Sequence, residues 1–153
     1  MKIIIGSDHG GFKLKEELKN FLKKENFEFV DFGTHSEDPV DYPDIALLIA
    51  ETVLKTPDSR GIIVDGIGSP SAICANKVKG IRAACCHDTF SAKNSRLHND
   101  TNVLTLGGRV LSIGLASEIV KVWLKTPFEG DRHFRRLSKI EQIERKYMKE
   151  DIK

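Results

Sequence analysis

The sequence is short of the features that mark specialised proteins. Its 153 residues hold three cysteines, an odd number that makes no disulfide framework. They fall at positions 74, 85 and 86, a spacing that suits neither an ordinary bridge nor a zinc ligand set. We expect them in the core as small apolar side chains. No apolar run approaches the roughly 18 residues of a membrane helix. The start, MKIIIGSDHGG, has only a three-Ile apolar stretch, too short for a secretion signal, so a cytoplasmic location is expected. Net charge is only +2, and the basic residues are spread apart from a cluster near Arg132, which argues against nucleic acid as a partner. Repeats, low-complexity segments and linkers are lacking too. One domain spanning 1–153 is the expectation, long enough to bury a sizeable core.

What is present is an alternation of short apolar runs and amphipathic segments. Lys2–Ser7 (KIIIGS) reads as a buried strand. Leu14, Leu18, Phe21 and Leu22 follow at helical spacing among Lys and Glu. Strands are expected at Phe27–Asp31, Gly61–Asp65, Ile81–Cys86 and Asn102–Leu106. Helices are expected over Ile45–Leu54 and Asp88–Leu97, around Ala116–Leu124, and from Arg132 onward. Ser69-Pro70 has the pattern of an N-cap followed by the first helical residue. Such alternation predicts an α/β fold: a three-layer α/β/α Rossmann-like sandwich around a five-stranded parallel sheet with right-handed crossovers. The last helix carries Leu137, Ile140, Ile143 and Tyr147 among charges. It packs either on its own sheet or on a second subunit.

In open α/β sheets, ligands bind at the carboxyl ends of the strands. Those ends carry Asp8, His9, Gly10 and Gly11 after strand one, and Asp65 through Ser71 after strand three. His87 and Asp88 follow strand four, and Gly107, Gly108 and Arg109 follow strand five. Such a set suits a ligand site better than packing. Gly66–Ser71 is rich in Gly and Ser and opens a helix, the form of an oxyanion-binding loop. It is neither GxGxxG nor a Walker loop, which disfavours dinucleotides and nucleotides. Arg132, His133, Arg135 and Arg136 crowd like charges onto one turn, which suggests an anion there. His98-Asn99-Asp100 is expected just after a helix, where it could be plain turn chemistry. Loop and cluster together point to a phosphorylated small molecule.

Four segments carry a resemblance: SDHGG after strand one, CANKVKGIRA (Cys74–Ala83), SRLHNDTNVLTLGGRV (Ser95–Val110) and GDRHFRR (Gly130–Arg136). Together they resemble the ribose/galactose-6-phosphate isomerase family, ribose-5-phosphate isomerase B in particular, from Met1 to about Tyr147. The resemblance implies an aldose–ketose isomerase that moves a proton between C1 and C2 through a cis-enediolate, with no metal or cofactor. It implies a homodimer or dimer of dimers with shared sites, and places the C-terminal helix at the dimer interface. Carried over, His98 opens the sugar ring, Asp8 binds and protonates ring oxygens, and Asn99 supports the intermediate. His9, Arg132 and Arg136 clamp the phosphate, with Arg109 from the neighbouring subunit. Tyr42 borders the ring pocket, and the N–H groups of Gly66, Ile67, Gly68, Ser69 and Ser71 stabilise the enediolate.

One departure stands out. The common form of the family has a Cys base at the end of strand three, followed by Gly-Thr-Gly. Here the residues are Asp65, Gly66, Ile67 and Gly68, and Pro70, lacking an N–H, replaces another Gly. A second branch has a Glu where this chain has Ser71. Asp65 is then the candidate base: a carboxylate can serve a carbon acid once burial beside an apolar Ile67 strengthens it. The sequence leaves two readings open. One is an isomerase of ribose 5-phosphate, or of a galactose, allose or tetrulose phosphate. The other is a sugar-phosphate-binding subunit that completes the site of a Cys-bearing relative.

Overall fold

The structure is a computed structural model in which residues 1–148 are described; the last five residues of the expected domain, 149–153, lie outside them. Eleven elements follow one another: β1 (Lys2–Ser7), α1 (Phe12–Lys24), β2 (Phe29–Asp31), α2 (Tyr42–Lys55), β3 (Ser59–Asp65), α3 (Ser69–Ala75), β4 (Ala83–Cys85), α4 (Thr89–Asn99), β5 (Val103–Gly107), α5 (Ile113–Lys125) and α6 (Arg132–Tyr147). The strands form one parallel sheet in the order β2-β1-β3-β5-β4, as the alternation predicts.

Strand periodicity divides the core in two. Ile3, Ile5, Ile62, Val64, Leu104 and Leu106 face α1, α4 and α5 with Leu18, Ala92, Ile119 and Trp123. Ile4, Ile63 and Val103 face the other way onto Ala46, Ile49 and Ala50 of α2 and Ala75 of α3. Nearly all of these are fully buried, each worth about 1.5–3 kcal/mol for the larger side chains. The expected strands at Phe27 and Ile81 are shorter than the apolar runs suggest, because β2 and β4 are edge strands that pair on one side only. Cys86 is buried, but Cys74 and Cys85 are only partly so, which corrects the expectation that all three sit in the core.

Local chemistry explains the ends of key helices. Asp88 caps α4 by accepting the Ser91 N–H at 2.7 Å. The helix runs to Asn99 and stops where Asp100 turns left-handed. His98 and Asn99 therefore belong to its last turn rather than to a following loop. Helix α3 is capped by Gly68, at φ +87°, so Ser69 is its first residue and not its cap.

Candidate active site

The chain leaves β1 for α1 on one face of the sheet and leaves β3 for α3 on the other. The two loops part between adjacent strands and open a crevice at their carboxyl ends. Gly11 makes the close approach possible: a Cβ there would lie 2.1 Å from the Val64 carbonyl oxygen. Asp8 is buried at this crevice, and its Oδ1 accepts the Gly11 N–H at 3.0 Å. Burial pushes the Asp8 carboxyl above the ordinary aspartate range, and the charge of Asp65 adds to the rise; the Gly11 hydrogen bond and His9 oppose it.

Asp65 ends β3 and is 2% exposed. Its Oδ1 accepts the N–H groups of Ile67 (2.9 Å) and Gly68 (2.5 Å), and its Oδ2 accepts that of Ser71 (2.8 Å). The Gly/Ser loop therefore wraps around this carboxylate. The N–H groups of Ile67, Gly68 and Ser71, expected to face an enediolate, turn inward to Asp65 instead. An ionised carboxylate offers about four acceptor positions, so one remains. Ile67 does not wall Asp65 off as expected, since its side chain is half-exposed.

Beside Asp8 lies a polar pocket of about 290 Å³ lined by His9, Gly10, Lys13, Glu37, Gly108 and Arg109. His9 Nδ1 sits 3.2 Å from both the N–H and the carbonyl of Val40, which ties the 33–41 loop to the pocket. Lys13 and Glu37 pair across its mouth at 3.3 Å. Neither was singled out from sequence, where they read as one more charge in a helix and one more in a loop. The loop's base is anchored by Lys15, a fully buried cation that reaches both oxygens of Asp31 at 2.8 Å and the Thr34 carbonyl at 2.6 Å. Tyr42 begins α2, two residues after Val40, and is exposed.

The remaining candidates gather elsewhere. Helix α4 runs antiparallel to the strands, so His98 and Asn99 lie at the amino ends of the strands, about 16 Å from where α4 begins. Arg82, just before β4, confirms the position by donating to the carbonyls of Asn99 and Asp100. The start of α6 packs here: His133 stacks on His98 with ring centroids 4.3 Å apart. Arg132 and Arg136 are exposed on the same turn. This corrects the expected grouping. Arg109 shares a pocket with His9 of its own chain, while Arg132 and Arg136 accompany His98 at the other end of the sheet. Among the described residues, His98, Glu129 and His133 are also the three that could hold a metal, their ligand atoms lying within 4.8 Å of one another.

Comparison with known proteins agrees with this fold. The family model described as Ribose/Galactose Isomerase matches residues 3–140. A putative sugar phosphate isomerase, YwlF, of Bacillus subtilis is 49% identical over 147 residues, covering 95% of this chain and 99% of its own length. Ribose-5-phosphate isomerase B of Escherichia coli is 43% identical over 145 residues, covering 95% and 97%. The structure of ribose-5-phosphate isomerase B from Clostridium thermocellum superposes with a TM-score of 0.93 at 53% identity, covering 96% and 99%. The chain belongs to the ribose/galactose isomerase family, enzymes of the aldose–ketose isomerase type.

Proposed function

We propose that the chain interconverts ribose 5-phosphate and ribulose 5-phosphate in a homodimer whose sites are shared between copies. The observation that carries this reading is the carboxylate pair, Asp8 and Asp65, set beside a pocket that offers one imidazole and one guanidinium. A pocket of that size and charge suits a phosphate, and the Escherichia coli relative bears the name of this reaction. Topology supports the sharing. His98, Asn99, Arg132 and Arg136 stand at the opposite end of the sheet from Asp8 and His9, and a second copy can bring them to the crevice. His9 and Arg109 of one copy, with Arg132 and Arg136 of the other, clamp the phosphate; Tyr42 borders the sugar.

The aldose arrives as a ring. His98 takes the proton of the O1 hydroxyl, the electron pair forms C1=O1, and the C1–O4 bond breaks. O4 takes a proton from Asp8, whose raised carboxyl holds one more readily than an ordinary aspartate. Asp65 then removes the C2 proton through its remaining lone pair, and the electrons move to O1 as an enediolate. A proton passes from O2 to O1, Asp65 returns its proton to C1, and C2=O2 completes the ketose. Asn99 supports the oxyanion, with the N–H groups of Gly66 and Ser69 as the loop's remaining donors.

The test is turnover of ribose 5-phosphate by the wild type and by Asp65→Asn, with melting curves as a folding control. A loss of at least about 10²-fold in a folded variant supports Asp65 as the base. Activity that survives moves the base elsewhere. A wild type that binds but does not turn over ribose 5-phosphate favours a tetrose or hexose phosphate, or the role of a subunit that completes a Cys-bearing relative. The loop N–H groups spent on Asp65 are the observation that favours this last reading.

A further inference from the structure

The start of α6 gathers side chains around His98 in an arrangement that the proton transfers above do not use. Arg136 Nη1 lies 3.4 Å from His133 Nδ1. A guanidinium has only donors, so His133 Nδ1 must be the bare, accepting nitrogen. The proton of a neutral His133 is then on Nε2. That atom is buried and lies 3.2 Å from Glu129 Oε2, an ion-pair distance, without a hydrogen bond. The same Oε2 lies 3.7 Å from His98 Nε2. That is beyond hydrogen-bond reach, but the carboxylate's negative charge favours a proton on the nitrogen His98 turns toward it. The two imidazoles stack with their planes 15° apart, which fixes the plane of His98.

A metal is the competing explanation for three such ligands. Nearly parallel rings, however, send their in-plane lone pairs side by side rather than toward one point, and a tetrahedral or octahedral ion needs them to converge. Tautomer control needs only the parallel arrangement seen. The nitrogen that carries the proton in a histidine is set by the hydrogen bond its other partner makes.

We propose that Glu129 and His133 are positioning residues for His98, holding it as the Nε2–H tautomer so that Nδ1 is the atom that takes the proton from the sugar's O1 hydroxyl. The proposal rests on the ring-opening role of His98 given above. It has a kinetic consequence that a general structural role lacks. Ribose 5-phosphate is cyclic and must be opened. Ribulose 5-phosphate has its O5 phosphorylated, cannot close onto C2, and reaches the enzyme already open.

Glu129 is the residue to vary, since His133 is buried and its truncation would test folding. Glu129→Ala should lower kcat/KM for isomerisation by at least about tenfold in both directions, as the fixed equilibrium constant requires, while exchange of the ribulose 5-phosphate C1 proton with solvent deuterium, which needs no ring opening, falls by less than about threefold. Glu129→Gln, which keeps an acceptor oxygen, should recover most of the aldose rate. Exchange that falls in step with isomerisation, or isomerisation that does not fall, overturns the proposal. An arm independent of turnover reads the imidazole nitrogens by ¹⁵N NMR. The expected wild-type spectrum has His98 protonated at Nε2, passing to a mixture of tautomers in Glu129→Ala. A His98 that is already a mixture in the wild type overturns the proposal. If the wild type turns over neither pentose phosphate, the substrate reading fails, and the spectrum alone decides this one.

Discussion

At the residue scale, the site is a place where charge is held at a cost. Asp8 is buried next to Asp65, and its carboxyl is raised by burial first and by that neighbour's charge. A raised acid contributes stability in its protonated form, and that contribution is lost as pH rises through its folded value. Ionised Asp8 is therefore unfavourable at neutral pH. Asp8→Asn, which keeps an oxygen for the Gly11 N–H, should melt no lower than the wild type at pH 7, about 0–1 kcal/mol more stable, while turnover falls at least about tenfold. Melting curves and initial rates check both halves, and a variant that is destabilised and fully active would contradict the account. Asp8 and His9 were legible in the sequence because they follow a buried strand. The engagement of Asp65 was not, since three N–H groups meet its carboxylate only once the loop has folded around it.

At the element scale, α1 does more than cover the sheet. Its Lys15 is fully buried, yet it satisfies both Asp31 oxygens and the Thr34 carbonyl, which fixes the end of β2 and the loop leading to His9. Burial works against the Asp31 charge, but the hydrogen bonds from Lys15 and Lys19 prevail and hold its carboxyl below the usual range. A lowered acid stabilises the fold above its unfolded pKa, about 3.9, and that stability is lost as pH falls through the folded value. Lys15→Met should therefore cost about 3 kcal/mol at pH 7, with the gap to the wild type narrowing below about pH 4. Urea titrations at the two pH values test it. In the sequence Lys15 sits among Lys and Glu and looks like a solvated face; its burial depends on Asp31, which arrives from another element. The Gly68 cap of α3 was hidden for a similar reason: Ser69 has the better capping chemistry, but Asp65 pulls the loop's N–H groups inward and the turn falls on the glycine.

At the scale of the whole molecule, the candidate site is split between the two ends of one sheet. If sites form between copies, two inactive variants can repair each other. Asp8→Asn and His98→Asn should each be inactive alone, and a re-equilibrated equal mixture should regain up to about a quarter of wild-type activity, because half the dimers are mixed and each holds one intact site. A mixture that stays inactive would mean that each chain completes its own site. The exposed apolar side of α6, with Phe134, Ile140, Ile143 and Tyr147, is surface that a second copy would cover.

By itself the sequence determined the layer order, the parallel sheet, the carboxyl-end residues and the family. These follow from periodicity, and from short segments whose neighbours in sequence are also their neighbours in space. Only the tertiary structure decided that Arg109 stands with His9, that Arg132 and Arg136 stand with His98, and that Glu129 and His133 meet that imidazole. Which end of the sheet a residue reaches depends on the direction of its helix and the length of the turn before it. Such placement comes from packing between elements, which spacing along the chain does not encode.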